Sequence, residues 1–200
     1  MTKPAFRLLA GATFLALTAG AAEAHVGVGD TSGFAQGFWH PISGLDHIIA
    51  MVMVGLYAAQ LGGRAIWLVP ASFVCLIALG GALDVAGIPV PLAELGIGLS
   101  VVVLGAAVAF GLRVGPAAAT ALVGFFAIFH GHAHRMEMPE TVSGLAYGAG
   151  FVVATALLHA LVIGAGLGLG RQTTARGSTL VECLGGAASL AGVGLLAGIL

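Results

Sequence analysis

Residues 65–87, AIWLVPASFVCLIALGGALDVAG, carry Asp84 as their one charged side chain. About 20 consecutive apolar residues make a helix long enough to cross the hydrocarbon of a bilayer. There the backbone N–H and C=O groups find no water and must pair within the segment. The stretch therefore reads as a transmembrane helix, with Pro70 as a kink that neighbouring helices can accommodate. Working outward, comparable apolar stretches run over 36–60, 91–112, 114–134, 143–169 and 179–199. Breakers separate them: Gly62-Gly63-Arg64, Gly87-Ile88-Pro89, residues 111–116, Met138-Pro139 and the polar run 171–178. The expected fold is all-α, a polytopic membrane bundle of six transmembrane helices.

Composition agrees. Mean hydropathy is +1.08, and 59% hydrophobic against 8% charged residues is far from soluble domains, where about a quarter of residues are charged. The 33 glycines suit close helix approach in lipid, and the spacings Gly144-xxx-Gly148 and Gly164-xxx-Gly168 are read as packing faces. A formal net charge of −1 without a basic cluster excludes the electrostatic footprint of a nucleic-acid binder. Cys75 and Cys183 stand singly in apolar stretches and read as packing residues.

Residues 1–24 have the form of a cleavable signal peptide, with Lys3 and Arg7, an apolar core from Leu8 to Leu17, and Ala22-Glu23-Ala24 as the cleavage site. The mature six-helix transport domain is then 25–200, starting at His25 outside. Alternating spans put Arg64, Arg113, Arg171 and Arg176 in the cytoplasm, which matches the positive-inside bias. Asp30, Asp84, Glu94, Glu137 and Glu140 fall on the outer side, where an acidic mouth gathers cations.

Two clusters carry chemistry. In His40-Pro41-Ile42-Ser43-Gly44-Leu45-Asp46-His47 the two histidines lie two turns apart on one face. Asp46 is about 100° off that face, so it is a ligand if Pro41 and Gly44 open the turn, or else it orients a histidine from behind. In Phe129-His130-Gly131-His132-Ala133-His134-Arg135-Met136-Glu137, the residues His130, His134 and Glu137 share one stripe, while His132 points elsewhere and stands as an additional donor for a metal. The run lacks the adjacent glutamate of zinc proteases, so a metal site is favoured over a peptidase. Ionisable groups inside a membrane default to function, and neutral imidazole suits nickel, cobalt, zinc and copper. With the first span running inward and the fourth outward, both clusters meet at the outer face. Glu94 either completes the site or is a helix-start carboxylate. His159 is either an inner relay ligand or a packing histidine bonded to a backbone carbonyl. His25, as a mature first residue, offers its amine and ring to an ion.

At these residues the sequence resembles the HupE/UreJ family of nickel permeases. The resemblance rests on His40-Pro41 to Gly44-Leu45-Asp46-His47, Glu94-x-x-Ile97-x-x-Ser100-Val101 and Phe129-His130-Gly131-x-Ala133-His134-x-x-Glu137. It implies import of Ni2+, or Co2+, across the bacterial inner membrane in the service of hydrogenase and urease maturation. Its partners would be the lipid bilayer, the transported ion and nickel accessory proteins, with no resident prosthetic group. His40, Asp46, His47, His130, His134 and Glu137 are then the expected metal ligands. One departure is Arg135, where the family pattern has glycine; a cation beside the ligands opposes metal unless it faces away or pairs with Glu137 or Glu140. Two other classes of function share these features. A membrane-embedded metalloenzyme would show turnover without ion flux, and a metal-binding sensor or scaffold would show binding without flux.

Overall fold

Every regular element among the described residues is a helix, in a computed structural model that describes residues 32–136, 138, 143–171 and 175–199. The expected signal peptide, His25, Asp30, Glu137 and Glu140 lie outside the described residues. The helices are α1 Ser32–Ser43, α2 Leu45–Leu61, α3 Ala65–Val85, α4 Ala93–Ala109, α5 Pro116–Met136, α6 Gly144–Arg171 and α7 Ala175–Leu196.

Four of them are long and apolar enough to span a membrane: α3, α5, α6 and the 179–196 part of α7. The count becomes five if α1 and α2 form one broken span. The expected first span, 36–60, is therefore not continuous: the two helices are bent by 78°. Pro41 sits within α1, the Ser43 hydroxyl donates to the His40 carbonyl at 2.7 Å, and Gly44 is extended at φ −94°, ψ 128°. That combination ends one helix and starts another at the motif itself. The expected third span, 91–112, contracts to the 17 residues of α4, short of the usual spanning length of about 20. Pro89 and Pro91 precede it, and Leu92 takes a left-handed conformation at φ 61°. At the other end Gly111, at φ +57°, closes a Schellman cap: its N–H and that of Leu112 reach the carbonyls of Val108 and Ala107. Pro70 lies within α3 without ending it.

Helix α2 is the hub, in contact with each of the other described helices. Its Met51, Val54, Tyr57 and Ala58 are fully buried. Around it α3 pairs with α5, α4 with α7 and α1 with α6. These pairs are made by glycines that bring backbones into contact. A methyl group at Gly131 would overlap the Ile77 carbonyl, and one at Gly80 the Ile128 carbonyl, so α3 and α5 lie backbone to backbone. The packing role expected of the two Gly-xxx-Gly pairs is not borne out. Among the described residues Gly148, Gly164 and Gly168 have nothing within 4 Å of where a Cβ would sit, and Gly144 meets the Met138 side chain. Gly144, Gly164 and Gly168 are exposed, whereas the buried Gly150 meets the Phe34 backbone of α1. Large apolar side chains such as Trp67, Phe110, Leu145, Leu161 and Leu190 are exposed, as a lipid-facing surface requires.

Candidate metal site

After the break at Gly44 the helix α2 begins anew, and Asp46 and His47 stand in its first turn. The Asp46 carboxylate accepts the backbone N–H of His47 at 2.9 Å and lies 2.7 Å from the ring Nδ1 of the same residue. With Nδ1–H donated to the carboxylate, the Nε2 lone pair of His47 points away from Asp46. That is the outer-partner arrangement that fixes tautomer and ring direction in metal-binding histidines. Of the two roles the sequence left open for Asp46, the hydrogen bond is that of an orienting group. Gly44 makes room for it: a Cβ there would lie 2.8 Å from His47 Nδ1 and 2.9 Å from Asp46 Oδ1.

The last two turns of α5 supply His130 and His134, one turn apart on one face. His47, His130 and His134 are all buried, and one nitrogen from each lies within 4.8 Å of the others. The ring of His134 is 3.9 Å, centroid to centroid, from that of His47, and the ring of His130 is 5.0 Å from it. His130 has its own outer partner. The Ser100 hydroxyl of α4 donates to the Ile97 carbonyl at 2.6 Å, so its oxygen accepts Nε2–H of His130 at 2.8 Å. This assignment leaves the Nδ1 lone pair of His130 for a ligand. Neither Nε2 of His47 nor Nδ1 of His130 has a hydrogen-bond partner among the described residues. Burying an unpaired ring nitrogen costs about 1–3 kcal/mol, and a shared cation removes that cost.

His40, at the end of α1, borders the cluster: its ring is 4.7 Å from that of His134 and 6.5 Å from that of His47. Tyr147 and Phe151 of α6 wall it, and the Phe151 ring packs 4.2 Å from His134. Asp46 and Glu94 line a common recess of about 380 Å³ with Leu95, Ile97, Gly98, Leu195 and Leu196. Glu94 is exposed on its rim and is not one of the clustered groups. His132 points away, as the stripe geometry predicts, and its Nδ1 is 3.8 Å from Asp84 of α3. Arg135 also faces α3, where a Cβ on Gly81 would lie 4.0 Å from its own Cβ. His159 is buried deeper on α6, edge-on to Phe73 at 5.3 Å.

Ser100, which belongs to the family motif but not to the expected site residues, is the neighbour of the cluster that bonds to His130. Its signal is a hydroxyl in an otherwise apolar stretch, but nothing in the chain says which histidine it meets.

The chain matches the family described as HupE / UreJ protein over residues 13–195. It is 46% identical over 178 residues to "Protein HupE" of Rhizobium leguminosarum bv. viciae, covering 88% of this chain and 91% of that protein. No solved structure matches it.

Proposed function

Because the chain belongs to the HupE/UreJ family, we propose that it imports a divalent transition metal, nickel foremost and cobalt next, across the bacterial inner membrane. The observation that carries this reading is the buried triad of His47, His130 and His134, contributed by two helices far apart in sequence. Imidazole without thiolate suits borderline divalent ions and disfavours copper(I).

In this reading Asp46 and Glu94 form the acidic entrance, and Glu137 keeps the ligand role that the family resemblance implies. The three buried histidines, with His40 beside them, replace the hydration shell. Asp46 and Ser100 hold two of the rings so that their lone pairs converge before the ion arrives, which lowers the cost of ordering them. Binding has to be strong enough to strip water yet weak enough to release the ion inward. The reading has six spans, with α1 and α2 as one broken span and α4 as a short one, and removal of residues 1–24 as a signal peptide leaves the amino terminus outside. Broken helices at a binding site are how transporters present backbone and side chains to an ion within the membrane.

Proteoliposomes loaded with a metal-sensitive dye test this. Nickel and cobalt entry is expected, with zinc and copper as competitors, and His47→Ala with His130→Ala is expected to abolish it. Undiminished entry in that double variant removes the site. Metal binding by the wild-type protein with no entry would make it a sensor or scaffold.

A further inference from the structure

We propose that His159, with Thr155 one turn before it on α6, forms a second and inward station for the transported cation, divided from the outer histidines by the ring of Phe73. The inference rests on the permease reading above. His159 is 2% exposed and Thr155 fully buried. Neither ring nitrogen of His159, nor the Thr155 hydroxyl oxygen, has a hydrogen-bond partner among the described residues. A histidine that serves packing alone satisfies its N–H on a neighbouring carbonyl; this one does not. Spacing i, i+4 puts the hydroxyl and the imidazole on one face of α6.

Position gives the pair a role. On α6, Phe151 packs against His134 of the outer cluster, and His159 follows eight residues later, about 12 Å further along the axis at 1.5 Å per residue. Between the two levels stands Phe73 of α3, fully buried. Its ring is 5.7 Å from that of His130 and 5.3 Å from that of His159, edge-on at 89° to the latter. A continuous file of rings therefore runs from His134 through His47, His130 and Phe73 to His159. One imidazole and one hydroxyl bind more weakly than three imidazoles. An ion passing the phenyl ring finds a site that takes it and then lets it go, the multi-site condition for throughput. Phe73, which has no ligand atom, keeps the two stations from collapsing into one tight site.

The test compares wild type, His159→Ala and His159→Phe, the last of which refills the volume with an apolar ring. Nickel binding is measured on purified protein in detergent, and nickel entry on proteoliposomes. Both variants are expected to keep the outer binding site at wild-type affinity while entry slows by about tenfold or more, since loss of even an outer partner costs 10–100-fold at metal sites. Wild-type entry rates in either variant overturn the inner station and leave the permease reading standing. Joint loss of outer binding and entry in both variants assigns His159 a purely structural role and also overturns it. If wild type itself binds nickel without admitting it, the permease reading fails first and the station falls with it.

Discussion

Replacing Gly44 by alanine separates the integrity of the fold from the geometry of the site. The backbone at Gly44 is extended, φ −94° and ψ 128°, a conformation open to any residue, so the chain has no reason to resist the substitution. Losing a glycine from the unfolded ensemble is even worth about 0.4–1 kcal/mol of stability where the native backbone is compatible. The new methyl, however, would lie 2.8 Å from His47 Nδ1 and 2.9 Å from Asp46 Oδ1, where ordinary contact begins at 3.4 Å. Both are side-chain atoms and move by roughly half an ångström at little cost to the fold. At a metal site the tolerance on ligand distances is about 0.2 Å, so the same movement misplaces the His47 lone pair and loosens its 2.7 Å bond to the carboxylate. The expected loss is that of an outer partner, 10–100-fold in nickel affinity, or about 1.4–2.8 kcal/mol. Nickel titration of the purified protein reads the affinity, and thermal unfolding in the same detergent reads the fold. Wild-type affinity in Gly44→Ala would show that Gly44 does not set the His47 geometry, and a fall in melting temperature that accompanies the affinity loss would assign it to the fold.

Ser100→Ala removes the acceptor for His130 Nε2–H and is expected to weaken nickel binding by about tenfold without changing the helical circular dichroism. Gly131→Ala drives a methyl into the Ile77 carbonyl, forcing α3 from α5; unfolding at lower temperature, together with weaker metal binding at the adjacent His130, is expected. Gly164→Ala meets nothing within 4 Å, and melting should be unchanged or higher, by up to about 1 kcal/mol in stability from helix propensity.

The helices were legible because lipid leaves the chain one way to satisfy its backbone, and long apolar runs report that directly. Helix 65–85 came out almost as 65–87 implied. The break at Gly44 was half legible. Pro41 and Gly44 made an opened turn one of two readings, but neither the 78° bend nor the packing of α1 against α6 is spelled out locally in the chain. Glycine roles were misread because spacing gives a stripe and not the neighbour it faces: Gly164 and Gly168 look outward, while Gly80 and Gly131, without a motif, hold α3 to α5. At the site, helical periodicity was enough to group His130 with His134 and to set His132 aside. That His47 would meet them came from the antiparallel order of the spans. Its pairing with Asp46 was one of two readings, and the Ser100 to His130 bond joins residues thirty apart on different helices, beyond any local pattern.

The permease reading requires imidazoles from α2 and α5 to hold one ion together. X-ray absorption at the nickel edge, on the purified protein carrying one equivalent of nickel, tests it most directly. Two or more imidazole ligands are expected in wild type, fewer in His47→Ala and fewer still in the His47→Ala, His130→Ala double variant. A first shell of oxygen atoms alone, or an imidazole count untouched by those substitutions, contradicts it.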